Sequence, residues 1–436
     1  MSHSETLELW KTSALVANPH FTRSSNHSLE LTRNNAWNLA LGSGFPTRQH
    51  EDWKYTSLKA LEECVPNFSR ARDNSIPLDM VDYYTSQADL NLLFIDGILR
   101  AWPDDLAYFT PLAAEFSLNS SQVLNFENHT THAFTDDTFF ALNTAVTQDG
   151  CVIEIPKNTT LNQKIHICHF STRVSESSEK NAFVQTPRVV IRVGENAEIS
   201  VMESFVNVGS RCVQIPIMQV ELAQNARVRH GRFQEIQPDD IHVSRTLVSL
   251  QKNAFFETFQ LDSSGAITRN DLAINLIGEG AECQLSGLSL TTGKEHVDNH
   301  SLVEHSSPNT SSSQLYKAIL DGKSRNVFNG RVVVKKSAQK ITAFQLNKNL
   351  LLTDDVEVDT KPQLEIHADD VKCSHGAAIG PINREELFYL ESRGIRPDLA
   401  ERMLSQAFAF DVLEKCTDVG IKSNLLRQIE KFFGAK

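Results

Sequence analysis

The residues best suited to chemistry are Cys373 and His375, within KPQLEIHADDVKCSHGAAIGPINREELFYLESRGI from Lys361 to Ile395. A thiolate suits iron–sulfur species and an imidazole suits iron or zinc. At i and i+2 of an extended backbone both side chains point the same way, so both can reach one metal or one interface. Asp369, Asp370 and Lys372 surround the pair, and Gly376 allows a tight exit from the strand. Iron, zinc or a cluster takes about four ligands, so two are a shortfall that another segment or another protein has to fill. The bland alternative is a junction packed for structural reasons.

Two further groups invite the same question. KEHVDNHSLVEH gathers His296, His300 and His305 with Asp298 and Glu304, all competent ligands for iron or zinc. The histidine spacing of 4 and 5 fits neither a strand face nor a helix face, which predicts a solvated loop, with metal ligation as the alternative. In KIHICHF, His166 and Cys168 share one strand face and His169 takes the other, predicting a buried thiol beside solvated imidazoles. Gly278 and Gly280 in LIGEGAEC lie at a corner without the following helix that a phosphate site needs. No P-loop, dinucleotide fingerprint or hydrolase elbow occurs, so no nucleotide site is expected in this chain.

These residues have to be positioned by a fold that the periodicity specifies. Apolar alternation, a small corner residue and renewed alternation recur at Ala197, Ala226, Ala254 and Ala281, which are 29, 28 and 27 residues apart. Ala338 follows 57 residues later, so a corner near Thr310 is implied, and an earlier copy sits around Thr159 before the polar STRVSESSEK. Val, Ile, Thr and Phe alternating with polar residues indicate strands rather than helical repeats. A coil of strands cannot bury its apolar face alone, so the coils stack as a parallel β-helix, a mainly β fold with helical regions at both ends. The expected division is 1–90 as an N-terminal helical region, 91–372 as the β-helix and 373–436 as a C-terminal helical region. The segment RQHEDWKYT at 48–56 reads as a boundary helix with its aromatics packed inward.

The tail changes to a helical period. Asn383 and Glu386 cap one helix that stops at Gly394, and Pro397 opens a second with Leu399, Met403, Ala407 and Leu413 on one face. A third carries Ile421, Leu425, Ile429 and Phe432. So small a module has few residues with which to hide these side chains, and docking of a partner is one use for the excess. The open ends of a solenoid must be covered by the flanking helices or used for pairing.

Composition narrows the class. A formal net charge of −12 argues against nucleic-acid binding, which relies on clustered Lys and Arg. The start, MSHSETLELW, lacks a signal-peptide layout, and no run is apolar enough to span a bilayer. Seven scattered cysteines without a CxxC pair suit a reducing compartment, and a cytoplasmic protein is expected.

The Lys361–Ile395 stretch resembles the C-terminal signature of the SufB/SufD family of iron–sulfur cluster assembly proteins. The likeness continues through Ser324–Asn326, Phe328–Gly330, Ala338–Leu352, Thr268–Leu288 and EDWKYT, which is most of the chain in order. SufB-like members resemble one another in a longer, Arg-rich N-terminal part and a V-E-H-E-A-T segment. This chain has KCSHGAA there and is of the SufD type, with one departure at Ala378, where Thr is common in the family. The resemblance implies a right-handed parallel β-helix flanked by N-terminal and C-terminal helical regions, and a non-catalytic scaffold that pairs with a SufB-like paralogue through that β-helix. It also implies that a SufC-like ABC ATPase is held by the C-terminal helices, and that a nascent Fe–S cluster is shared at the SufB–SufD interface. His375 matches the family's histidine at that interface, with the residue matching Cys373 nearby. An autonomous metal-binding protein using His296, His300 and His305, or a β-helix enzyme acting on polysaccharide, are the readings to set against it.

Overall fold

The computed structural model describes residues 3–18, 26–68, 78–85, 88–103, 108–117, 138–147, 149–173 and 181–434. It is a parallel β-solenoid of about seven turns with helices at both ends. Two sheets form its walls. The first sheet runs from Gly150–Ile155 at the N-terminal end through Ile241–Leu250, Ile267–Leu276, His296–His305 and Arg325–Val334 to Glu357–Ile366. The second sheet runs from Leu90–Ile95 through Glu198–Asn207, Arg227–Glu235, Phe255–Ser263, Glu282–Thr291, Ser311–Leu320 and Ile341–Leu351 to Val371–Pro381.

The corners explain the repeat. Asn158, Asn196, Asn225, Asn253, Gly280, Asn309 and Lys340 all adopt positive φ, the conformation that Asn and Gly tolerate best, at the turns leading into the second-sheet strands from Ile165–Ser171 to Ile341–Leu351. Asn196 donates its amide to Asn158, Asn225 to Asn196 and Asn253 to Asn225, at 2.8, 2.8 and 3.3 Å. Asn309 and Thr310 occupy the corner expected there. The last corner is displaced, however: Ser311 pairs with Thr342, so the equivalent of Thr310 is Ile341 and not Ala338. Ala338 is buried inside a longer turn, which disguises it as a corner residue.

Apolar residues of both sheets fill the lumen, among them Ile199, Val228, Phe256, Ile274, Leu276, Cys283 and Val334. Further along the strands the lumen is polar and hydrogen-bonded: Asp262 accepts from Asn270 and Asn299, both at 2.9 Å. The N-terminal end is closed by antiparallel strands, Ile98–Ala101 on the second sheet and Phe109–Pro111 on the first. N-terminal helices His3–Ala17 and His27–Ser43 and helix Thr138–Val146 pack on the outside of the first sheet around Trp10, Trp37, Trp53 and Phe139.

The C-terminal helices do not cap the other end. Helix Val419–Gly434 folds back over the second sheet, burying Ile421, Leu425, Ile429 and Phe433. A Cβ at Gly231 would lie 2.2 Å from Ile421 Cγ2, so this close approach requires glycine. Asp418 caps the helix through the N–H groups of Gly420 and Ile421 and accepts from Ser200 at 2.6 Å. Helix Pro397–Leu413 lies over later strands of the same sheet, tied by Lys317 to Asp411 at 2.5 Å. Its packed face is Ala400, Ser405, Ala409 and Val412, whereas Leu399 and Met403 face outward. The expected shared face of Leu399, Met403, Ala407 and Leu413 is therefore split: the first three lie on the solvent side, while Leu413 is buried with Val412 at the end of the helix.

Candidate functional site at the open end

Cys373 and His375 lie on Val371–Pro381, the outermost strand of the second sheet, which pairs with Ile341–Leu351 and with nothing beyond among the described residues. The pairing continues in register through Gly376 to Pro381, so the chain does not turn out at Gly376, and the helical segment begins at Arg384 rather than at residue 373. Cys373 pairs with Ala343 and His375 with Gln345. Ala343 belongs to the lumen core and Cys373 packs against it. His375 therefore stands on the lumen side too, exposed at the mouth, about 7 Å along the strand from Cys373. Beneath it Gln345 donates to Gln314, which accepts from Ser301 at 2.7 Å. Gly330 leaves room for the Gln345 amide, since a Cβ there would lie 1.9 Å from it.

The six other cysteines are buried, and Cys373 alone is partly open. Burial raises its thiol above the usual value, and a hydrogen bond with the Ala343 backbone opposes that. The mouth is completed by Glu357–Ile366, the outermost strand of the first sheet. Neither terminal strand contains a buried residue. In parallel pairing, alternate residues turn their backbone groups to alternate neighbours. Glu357 donates inward to Ser324 and His367 to Val334, which leaves the even-numbered residues of that strand facing outward, Pro362 among them. Ile341 donates to Asp370, so on the other edge Cys373, His375, Ala377 and Ile379 present free backbone groups.

Among the described residues no group of three or more His, Cys, Asp or Glu is arranged to hold a metal ion. The histidines of KEHVDNHSLVEH are not in a loop but on the strand His296–His305. His296 and His300 point out of the solenoid, where Asp298 lies 2.9 Å from His300 and Thr56 lies 2.8 Å from His296. His305 points into the lumen and bonds Thr310 and Ser312 at 2.7 and 2.9 Å. One strand thus separates the three. His166 and His169 are buried, not solvated. His166 lies under the C-terminal helix beside Ser204, and His169 lies in the lumen between the rings of Phe94 and Phe205. Burial pushes His166 down to about 3. Both faces of that strand are covered by segments distant in sequence, which its own alternation does not reveal.

The destination of EDWKYT leaves no mark in the sequence around it. Glu51–Trp53 is a single 3-10 turn whose Trp53 ring lies 3.9 Å from the Arg269 guanidinium of TRND. Arg269 in turn bonds Asp271 and Asp298 at 2.9 and 2.8 Å. Burial raises the Asp298 carboxyl, but His300 and Arg269 outweigh it and hold the group well below the usual range.

Behind the edge strand, a groove of about 410 Å³ separates Ala378 and Ile379 from Leu404 and Phe408 of the helix. Helix Arg384–Ser392 buries no residue, and Phe388 and Tyr389 are 70% and 58% exposed. Fold and site define a parallel β-solenoid whose strand carrying Cys373 and His375 is also a sheet edge unpaired among the described residues, with apolar helical surface beside it.

Comparison with known proteins places this class. The family model described as SUF system FeS cluster assembly, SufBD core domain, matches residues 174–408. The chain is 31% identical to the iron-sulfur cluster assembly protein SufD of Escherichia coli over 392 residues, 89% of each chain. It is 29% identical to a SufBD family protein of Synechocystis over 400 residues (87% of this chain, 86% of the relative). Identity to the chloroplastic protein ABCI7 of Arabidopsis thaliana is 30% over 407 residues (90% and 83%). The chain belongs to the SufBD family of iron–sulfur cluster assembly proteins.

Proposed function

We propose that this chain is a non-catalytic scaffold that supplies half of an assembly site for an Fe–S cluster, the other half coming from a SufB-like paralogue. The observation that carries the reading is the position of Cys373 and His375, two ligand types on an edge strand whose outward backbone groups have no strand partner among the described residues. A strand added to that edge would bring its side chains alongside His375. The cluster is then a transient product bridging two chains and not a resident cofactor. His375 is the ligand offered at the mouth, and Cys373, packed at the lumen core, stands behind it.

The exposed Phe388, Tyr389, Leu399 and Met403 form the surface on which a SufC-like ATPase would dock. Among the described residues no helix is long and apolar enough to cross a membrane, and the working place proposed is the cytoplasm. The test is His375→Ala in the co-expressed complex, with cluster yield measured anaerobically by absorption and iron content. The complex should co-purify intact while cluster yield falls at least fivefold; a wild-type yield removes His375 from the site.

A further inference from the structure

The outermost coil poses a mechanical problem. Its strands contain no buried residue, and its grip on the lumen core rests on Leu364, Val371, Cys373 and the turn residue Ala368. A sheet edge that must receive a partner strand in one register has to be held in place. A segment some 300 residues earlier in the sequence reaches it.

We propose that Glu51–Thr56 is a brace that fixes the terminal coil and keeps the open end in the shape its partner meets. The segment is anchored on inner coils of the first sheet. Trp53 stacks on Arg269, and Arg269 donates to the Asp52 carbonyl at 2.7 Å, both on Ile267–Leu276. Thr56 donates to Asp298 at 2.5 Å on the neighbouring strand His296–His305. Arg269, Asp271 and Asp298 are each at least 98% buried. Each therefore depends on its partners, because a buried charge that loses one is strongly destabilised. From this anchor the segment passes over Arg325–Val334, and Glu51 forms an ion pair with Lys361 on the outermost strand. Arg48 brings its charge to Asp359 on the same strand. Two motifs separated by more than 200 residues, EDWKYT and TRND, are thus the two halves of one fixture. Trp53, Thr56 and Glu51 act as positioning residues that touch neither metal ligand.

The test uses the full-length protein and hydrogen–deuterium exchange. In Trp53→Ala, exchange within Glu357–Ile366 should rise at least tenfold while Phe255–Ser263 keeps its protection. Glu51→Lys leaves the buried anchor untouched and sets a like charge against Lys361; a rise of about threefold in the same strand is expected there. If Trp53→Ala fails to fold, Glu51→Lys alone decides between the outcomes. Unchanged exchange of the terminal strand in the folded variants overturns the brace. The partner half rests on the proposed function: affinity for the co-purified SufB-like chain should fall at least tenfold in Trp53→Ala. If the wild-type chain binds no such paralogue, the pairing proposal fails and the exchange result still decides the brace; equal affinity of wild type and variant overturns its role in pairing.

Discussion

The coil of Ile241–Leu250 and Phe255–Ser263 and the coil of Glu357–Ile366 and Val371–Pro381 are built from the same repeat and differ in nearly every physical respect. In the former almost every residue is buried, with a strand on each side and helices or lumen against each face. In the latter neither strand contains a buried residue, only the turn residue Ala368 between them is buried, and among the described residues one side of each strand is open. The repeat therefore does not fix what a coil does. An inner coil is stabilised by its neighbours, and the terminal one keeps Cys373, His375 and its outward backbone groups available because no strand among the described residues lies beyond it.

The sharpest way to break this contrast is to delete the same side chain in both coil types. Leu276→Ala, in the inner lumen, should cost about 2–5 kcal/mol by urea unfolding. Leu364→Ala, in the terminal coil and only partly buried, should cost less than about 1.5 kcal/mol. Equal losses would mean that the terminal coil is packed as tightly as the rest.

Acid should act on the inner coils next. Burial lowers His166 to about 3 and His230 and His305 to about 4. The unfolded chain binds protons first as the pH falls, since its histidines titrate near 6.5. Stability contributed by these neutral histidines is complete above about pH 6.5 and is lost below it, each adding at most about 1.4 kcal/mol per pH unit. The urea midpoint measured from pH 7 to pH 5 should fall accordingly; a flat profile would place these rings in contact with water.

The smallest effect on the isolated chain is expected from Ala377→Pro. The N–H it removes faces the open edge, where the adjoining edge already carries Pro362. Stability should change by less than about 1 kcal/mol, while recovery of a SufB-like partner in co-purification drops at least tenfold. Undiminished recovery would show that pairing does not use this edge.

Much of this was legible from spacing, and the failures have local causes. The corners at Ala197, Ala226, Ala254 and Ala281 were visible because an αL residue before a small buried one is a short-range signal. Ala338 imitated that signal within a longer turn. Amphipathic spacing identified helix Pro397–Leu413 without showing which face met the sheet, because Leu399 and Met403 look like core residues until Ala400 and Ala409 are seen against the strands. The junction of Trp53 with Arg269 had no local trace, since it forms only when distant segments fold together. Cys373 and His375 were placed on one strand face from their i, i+2 spacing, but that the strand is an edge could be learned only by counting coils to the end.

The asparagine column at the corners also bears on how the solenoid folds. Each of Asn196, Asn225 and Asn253 finds an amide partner only if the incoming coil arrives in the right phase. A slip of one residue would turn lumen side chains outward and place another residue type in the αL turn. The ladder can thus act as a proofreading mark, checking each coil against the one before it as the chain winds up.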